Sequence, residues 1–289
     1  MAISALHGLR AYLRLRPPRL SALPRSIFGT LIGVTIGAWA LTLYQAVSMD
    51  VPMGMAMRGG LAGDGMAGMA MDGMSGADWS LEGLAVFVAL WTVMMVAMML
   101  PGATPMILIF ASAQSRRERL VAIPTWIFIA GYFVVWAAAG ILVYLVVQVA
   151  TELAVHFVAL DRAVWSALAL GATLVVAGIY QFTPLKRVCL RHCRSPLAFV
   201  AQHWREGRLG AFKMGIHHGL YCLGCCWALF GVLVAAGTMS IAWMLLLTLT
   251  VSAEKLFPQA ARASTTIGLA FIALGLVIAS GAINAPWHS

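Results

Sequence analysis

Residues 122–149 read AIPTWIFIAGYFVVWAAAGILVYLVVQV and carry no charged side chain. A helix needs about 20 such residues to cross a lipid bilayer. Because lipid offers no hydrogen bonds to the backbone, a segment that crosses it must satisfy its own N–H and C=O groups, which an α-helix does. This stretch therefore predicts a transmembrane helix.

The composition extends this prediction to the whole chain. Of its 289 residues, 62% are apolar and 10% are charged, whereas a soluble domain has about 25% charged residues. The strands of a membrane barrel would be shorter and would alternate in polarity. We therefore predict an all-α, polytopic transmembrane helical bundle of about seven spans. The predicted spans lie near residues 27–47, 84–112, 122–149, 163–183, 215–236, 238–253 and 264–284.

The net charge of +9 is arranged in alternate loops. One set of loops holds only Arg58 and Arg162. The other set holds Arg10, Arg14, Arg16, Arg19, Arg25, Arg116, Arg117, Arg119, Lys186, Arg187, Arg191, Arg194, Arg205, Arg208, Lys213, Lys255 and Arg262. The positive-inside rule then predicts a cytoplasmic N-terminus and an external C-terminus. The bilayer, and no nucleic acid, is the partner that this pattern indicates.

Three regions follow from this layout. Residues 1–48 form a basic cytoplasmic arm and a signal-anchor helix, whose apolar run is too long for a cleaved signal peptide. Residues 49–80 form an external, methionine-rich loop that is predicted to be disordered, because glycine and alanine dominate it. Residues 81–289 form a six-helix membrane domain with a cytoplasmic Cys/His loop at 184–214.

The external loop is the first of four groups of soft ligands. Thioether sulfur selects Cu(I) over harder ions and needs no deprotonation to bind it. An exposed disordered segment gives methionine no core to fill, so copper capture is favoured over a simple linker. The candidate ligands are Met49, Met53, Met55, Met57, Met66, Met69, Met71 and Met74.

The second group lies in WTVMMVAMMLPGATPM, residues 91–106. Met94 and Met98 are four residues apart, as are Met95 and Met99, so a helix places all four on one broad face. Pro101 predicts a kink beside them. Methionine is also ordinary core filler, so this group alone favours packing.

The third group lies in HHGLYCLGCCW, residues 217–227. On a helix, His218, Cys222, Cys225 and Cys226 share one face, while His217 points away. Buried cysteines often serve only as small apolar side chains. Three of them with a histidine on one face favour a metal site.

The fourth group is the C-x-x-H-C arrangement of Cys189, His192 and Cys193. Its basic surroundings favour thiolate, which suits metal binding and redox chemistry alike, and it lacks the second pair of a zinc finger. Structural and functional interpretations stay equally open here. Glu254 is open to two interpretations: a boundary residue that pairs with Lys255, or a residue that supports the metal site by orienting His218 or relaying a proton.

Depth in the membrane connects these groups. The methionines of the second span and the cysteines of the fifth are both expected near the bilayer midplane. We predict that His218 and the fifth-span cysteines face those methionines and share one site for a soft metal. The cytoplasmic Cys/His group is expected nearer water, as a transfer point.

Several of these motifs resemble a family of uncharacterised bacterial integral membrane proteins predicted to bind metal, the domain-of-unknown-function family 2182. The resemblance covers roughly residues 84–256 and rests on MMVAMMLPGATPM, CLRHCRSP, GAFKMGIHHG, CLGCCW and the EK at 254–255. It implies a polytopic helical fold, a bacterial inner-membrane location and a metal role. The residues it indicates are Met94, Met95, Met98, Met99, Cys189, Cys193, Cys222, Cys225, Cys226 and Glu254. It does not extend to the external methionine-rich loop.

These observations predict an integral inner-membrane protein that binds Cu(I) for copper delivery, transport or homeostasis. Its expected partners are the metal ion and a periplasmic copper chaperone or a membrane cuproenzyme. No nucleotide, hydrolase or protease motif indicates an enzyme. One alternative is a transmembrane thiol-disulfide electron carrier built on the C-x-x-C of Cys222 and Cys225. A structural membrane subunit without metal is the other.

Overall fold

The structure is a computed structural model that describes residues 22–48, 81–115, 122–157, 162–236, 240–256 and 260–280. Within these ranges the chain forms nine helices and no strand, which confirms the all-α prediction for them. The helices are α1 Ala22–Ser48, α2 Leu81–Gln114, α3 Ala122–Phe157, α4 Arg162–Tyr180, α5 Pro184–Arg194, α6 Pro196–His203, α7 Gly207–Ala236, α8 Ile241–Leu256 and α9 Ala260–Ala279.

Four helices in the described ranges, α1, α2, α3 and α7, are long and apolar enough to cross a membrane. A fifth span is possible if Ala167–Tyr180 and Pro184–Arg194 act as one, although the chain bends by 68° between them. The 16 residues of α8 reach about 24 Å, short of a hydrocarbon core of about 30 Å. The count of seven spans and the orientation of the termini therefore stay predictions.

The segment that the sequence predicts as a loop at 184–214 contains two helices, α5 and α6. Thr183 caps α5, because its side chain accepts a hydrogen bond from the backbone N–H of Lys186 at 3.3 Å. Pro184 occupies the first turn, where its missing N–H is not needed. These two residues restart the chain as a helix directly after the bend.

Helix α7 lies at the centre of the described fold and packs against α3, α4, α5 and α8. The approach to α3 is close, because a Cβ at Gly215 would collide with the carbonyl oxygen of Phe128, and one at Gly131 with that of Phe212. Small residues allow such close contact between helices. Helix α2 packs against α1, α3, α6 and α8, and α9 packs against α4 and α8. The core between α2, α3, α7 and α8 holds the candidate site.

Candidate metal site

Helix α7 contributes three buried cysteines and one buried histidine. His218, Cys222, Cys225 and Cys226 are all buried, as their spacing on one helical face predicts. The thiols of Cys225 and Cys226 donate to the carbonyl oxygen of Cys222 at 3.1 and 2.8 Å. His217 is exposed, as expected for a residue on the opposite face.

Helix α5 brings the other two cysteines into the same cluster. Cys193 interacts with the side chains of Cys222 and Cys225. The sulfur of Cys189 lies against Gly224, where an added Cβ would approach it to 2.8 Å. All five cysteines of the chain are free thiols. The two cysteine groups that look separate in the sequence therefore form one cluster, which we call the thiol cluster.

This arrangement corrects the expected exposure of the α5 cysteines. Cys189 and Cys193 are each 8% exposed, close to the 2% of Cys225, so they are not water-facing loop residues. The ring of His192 stacks on Tyr221 at 4.1 Å between centroids, beside the thiol cluster.

Cys222 receives two polar contacts that sequence reasoning missed. The ammonium nitrogen of Lys255 and the hydroxyl oxygen of Tyr132 each lie 2.9 Å from its sulfur. All three side chains are buried. In a low-dielectric interior an ammonium group favours a negatively charged partner strongly. Of the cysteines in the cluster, Cys222 is therefore the one whose surroundings stabilise a thiolate.

The side chain of Lys255 packs against α2 at Gly102 on its way from α8 to Cys222. The absence of a side chain at Gly102 leaves room for the Lys255 stem, since a Cβ there would lie 3.1 Å from Lys255 Cδ. Helix α2 continues through Pro101 to Gln114, so this proline is not a helix end. Lys255 thus connects the methionine-bearing helix with the thiol cluster.

The sequence predicts that Glu254 contacts Lys255 or His218, but its carboxylate contacts Lys186 instead. Both of its carboxylate oxygens lie 2.8 Å from Lys186 Nζ, and the Ser264 hydroxyl donates to one of them at 3.1 Å. Lys186 also donates to Gln181. Glu254 and Lys186 are only 2% and 1% exposed. The interpretation of Glu254 as a headgroup residue paired with Lys255 is therefore wrong, and so is its pairing with His218.

His218 is buried without a hydrogen-bond partner for either ring nitrogen among the described residues. Its ring lies 5.3 Å from that of Tyr132, 6.1 Å from Phe128 and 5.7 Å from Phe199. An unsatisfied buried polar group costs about 1–3 kcal/mol. Imidazole is a good ligand for copper and zinc, so a bound ion would satisfy this group.

The four methionines of α2 are buried in the same core as the cysteines. They are Met94, Met95, Met98 and Met99. Direct packing between α2 and α7 is limited, and the rings of Trp91 and Phe230 meet at 6.1 Å between these helices. Within the described ranges, no three His, Cys, Asp or Glu side chains are arranged to hold a metal ion. A site here therefore needs methionine ligands or a closing movement. The eight loop methionines lie outside the described residues.

The fold and the site together define a class: an all-helical protein with several helices suited to a membrane and a buried core of thiols, thioethers and imidazole. A family model described as PpoB2, copper chaperone, matches residues 88–278. The chain therefore belongs to the PpoB2 copper chaperone family. No curated protein and no solved structure matches the chain.

The family confirms the link to copper that the soft ligands predict. The matched range contains the α2 methionines, all five cysteines and His218, and it begins after the external methionine-rich loop. The resemblance to family 2182 and the assignment of individual ligands stay predictions.

Proposed function

We propose that the protein is an integral membrane copper chaperone that holds Cu(I) as cargo at the thiol cluster. The observation that carries the proposal is the Lys255–Cys222 contact of 2.9 Å within a core that also holds an unpartnered imidazole. The proposed ligands are Cys222, Cys225, Cys226, Cys193 and His218, with thioether from Met94, Met95, Met98 or Met99. Cys189 and His192 belong to the access route.

Charge supports this choice of metal. Thiolate and thioether sulfur favour Cu(I), and the single positive charge of that ion matches one thiolate in a medium that tolerates no net charge. Lys255 supplies a positive charge to the same sulfur from within the chain. When Cu(I) binds, a second thiolate of the cluster balances the Lys255 ammonium, so that neither charge is left uncompensated.

Location and partners complete the proposal. The resemblance to family 2182 favours the bacterial inner membrane, and the distribution of basic residues favours an orientation with the methionine-rich loop outside. That loop would exchange Cu(I) with a periplasmic copper chaperone, and the thiol cluster would pass the ion to or from a membrane cuproenzyme. Exchange between successive soft ligands needs no nucleotide.

Copper analysis of the purified, tag-free full-length protein tests the proposal. Anaerobic loading with Cu(I) and removal of excess metal should leave about one equivalent bound in the native protein. Cys225→Ser should abolish stoichiometric binding, whereas Thr248→Ser, a change of similar size at a buried position of α8, should not. Equal copper in the native protein and Cys225→Ser, both folded, would contradict a cysteine-based site.

A second function, thiol-disulfide electron transfer, is favoured by one observation: Cys193 lies against both members of the C-x-x-C. A nearby third thiol permits exchange between disulfide pairs. The same preparation distinguishes the two functions. An electron carrier would show reversible oxidation of these thiols and no stoichiometric copper.

A further inference from the structure

Three histidines from three helices meet beside the thiol cluster. His192 is on α5, His203 ends α6 and His217 is on α7. The ring centroids of His203 and His217 are 5.4 Å apart, and those of His192 and His203 are 6.5 Å apart. His217 is exposed and the other two are half-buried, so this group is accessible, unlike His218.

Hydrogen bonds set which nitrogen of each ring is free. Nδ1 of His192 lies 2.9 Å from the carbonyl oxygen of Val188, and Nδ1 of His203 lies 3.2 Å from that of Phe199. A carbonyl can only accept, so each Nδ1 carries the hydrogen and each Nε2 keeps a lone pair. Histidines that bind metals are oriented by this same contact.

Aromatic packing holds two of the rings in place. His192 stacks on Tyr221 with an interplanar angle of 2°, and His203 lies on Phe199 with centroids 4.7 Å apart. Ligands whose orientation is fixed before the ion arrives bind it with less loss of entropy. His217, being exposed, is the member that can rotate.

The ring separations match a metal site that is nearly closed. Two imidazoles on one tetrahedral ion, with metal–nitrogen bonds of about 2.0–2.1 Å, have centroids about 5 Å apart. The His203–His217 pair is close to this value, and His192 is about 1.5 Å beyond it. The three rings do not yet converge on one point. Rotation of the exposed His217 side chain, which takes picoseconds to nanoseconds, can turn its ring toward His203. His192 joins the site only when α5 and α6 move closer by about 1.5 Å, the excess of its separation from His203 over the spacing on a tetrahedral ion.

We propose that His192, His203 and His217 form a second metal site, which takes a borderline divalent ion of the Zn²⁺ and Cu²⁺ class. Imidazole nitrogen prefers such ions, whereas the sulfur-rich thiol cluster prefers Cu(I). Arg205 lies near His217, and its charge keeps the affinity moderate. The site does not depend on copper passing through the thiol cluster.

Co²⁺ is the probe, because its spectrum reports its ligands. The metal-free, tag-free full-length protein in detergent is titrated with Co²⁺ under reducing conditions. A histidine site gives visible ligand-field bands without the near-ultraviolet charge-transfer bands of thiolate. His203→Gln and His217→Gln should each weaken Co²⁺ binding at least about tenfold, since loss even of an outer partner costs about 10–100-fold. His192→Gln should weaken it less.

Two controls separate this site from the thiol cluster. His218→Gln and Cys225→Ser should both leave the visible bands unchanged, even where Cys225→Ser abolishes Cu(I) binding. His192, His203 and His217 are at least partly exposed, so substitution of any of them should keep the native thermal midpoint, and the two buried controls are compared only where they remain folded. Unchanged Co²⁺ affinity in folded His203→Gln and His217→Gln would overturn the proposal. Loss of the visible bands together with the thiolate charge-transfer bands in Cys225→Ser would also overturn it, because all of the bound ion would then be held by sulfur.

Discussion

The two sulfur-rich regions of the core differ in what surrounds their sulfur atoms. The thiol cluster is held by polar groups, with Lys255 and Tyr132 on Cys222. Apolar core neighbours surround the methionines of α2. A thioether needs no partner when it is buried, whereas a thiolate or an imidazole does. Burial alone therefore says little about the methionines and much about Cys222 and His218.

Removal of the Lys186 charge beside the thiol cluster should have the largest effect on the free energy of unfolding. Lys186→Met leaves Glu254 buried without its ion-pair partner, which should cost about 3–5 kcal/mol of unfolding free energy. The double variant Lys186→Met, Glu254→Leu should recover most of that loss. Thermal or denaturant unfolding in detergent measures both. If the single variant is as stable as the native protein, the ion pair does not hold the region around the thiol cluster together.

A steric substitution at Gly224 should have the next largest effect on the free energy of unfolding. Gly224→Ala pushes a methyl group to within 2.8 Å of the Cys189 sulfur, and such overpacking costs about 1–3 kcal/mol. It should also separate α5 from α7 and reduce bound Cu(I). Gly231→Ala is the matched control, because its nearest neighbour would be at 3.5 Å. Equal unfolding midpoints and copper content for the two variants would mean that the α5 cysteines are not part of the site.

Methionine replacement tests the other side of the comparison. Met98→Leu conserves volume and should cost less than about 1.5 kcal/mol in stability, yet it should weaken Cu(I) binding if the thioether is a ligand. Met106→Leu, also buried on α2, is the control and should leave Cu(I) affinity unchanged. Competition with a Cu(I) chelator measures both variants. The same affinity for both would reduce the α2 methionines to packing.

The smallest effect on stability is expected from the external loop. Replacement of its eight methionines with leucine should change the unfolding free energy by no more than about 0.5 kcal/mol. Copper acquisition by cells at limiting copper should nevertheless fall, because the soft capture ligands are gone. Normal copper acquisition at normal protein levels would show that the loop is only a linker.

Sequence reasoning succeeds where the information is local. Apolar runs predict the long helices, and the spacing of His218, Cys222, Cys225 and Cys226 predicts their shared buried face. Both depend only on the period of the helix. The family match adds the link to copper.

Contacts between distant helices are where sequence reasoning fails. Nothing in the spacing pairs Lys186 with Glu254, 68 positions away, or Lys255 with Cys222. One signal was present: arginine supplies most of the basic residues, and the three lysines, Lys186, Lys213 and Lys255, all lie in or beside apolar helices. Lysine next to such a helix, in a chain that otherwise uses arginine, indicates a special environment.

Two adjacent residues of α8 hold two different helices. Glu254 forms an ion pair with Lys186 on α5, and its neighbour Lys255 donates a hydrogen bond to Cys222 on α7. One turn of helix thus works as a mechanical coupler, since neighbours on one backbone cannot move independently. An ion that draws Cys222 away from Lys255 pulls on the end of α8 and, through Glu254, on α5. Helix α5 carries Cys189, His192 and Cys193. Metal binding at Cys222 would therefore also shift these three side chains at the edge of the core.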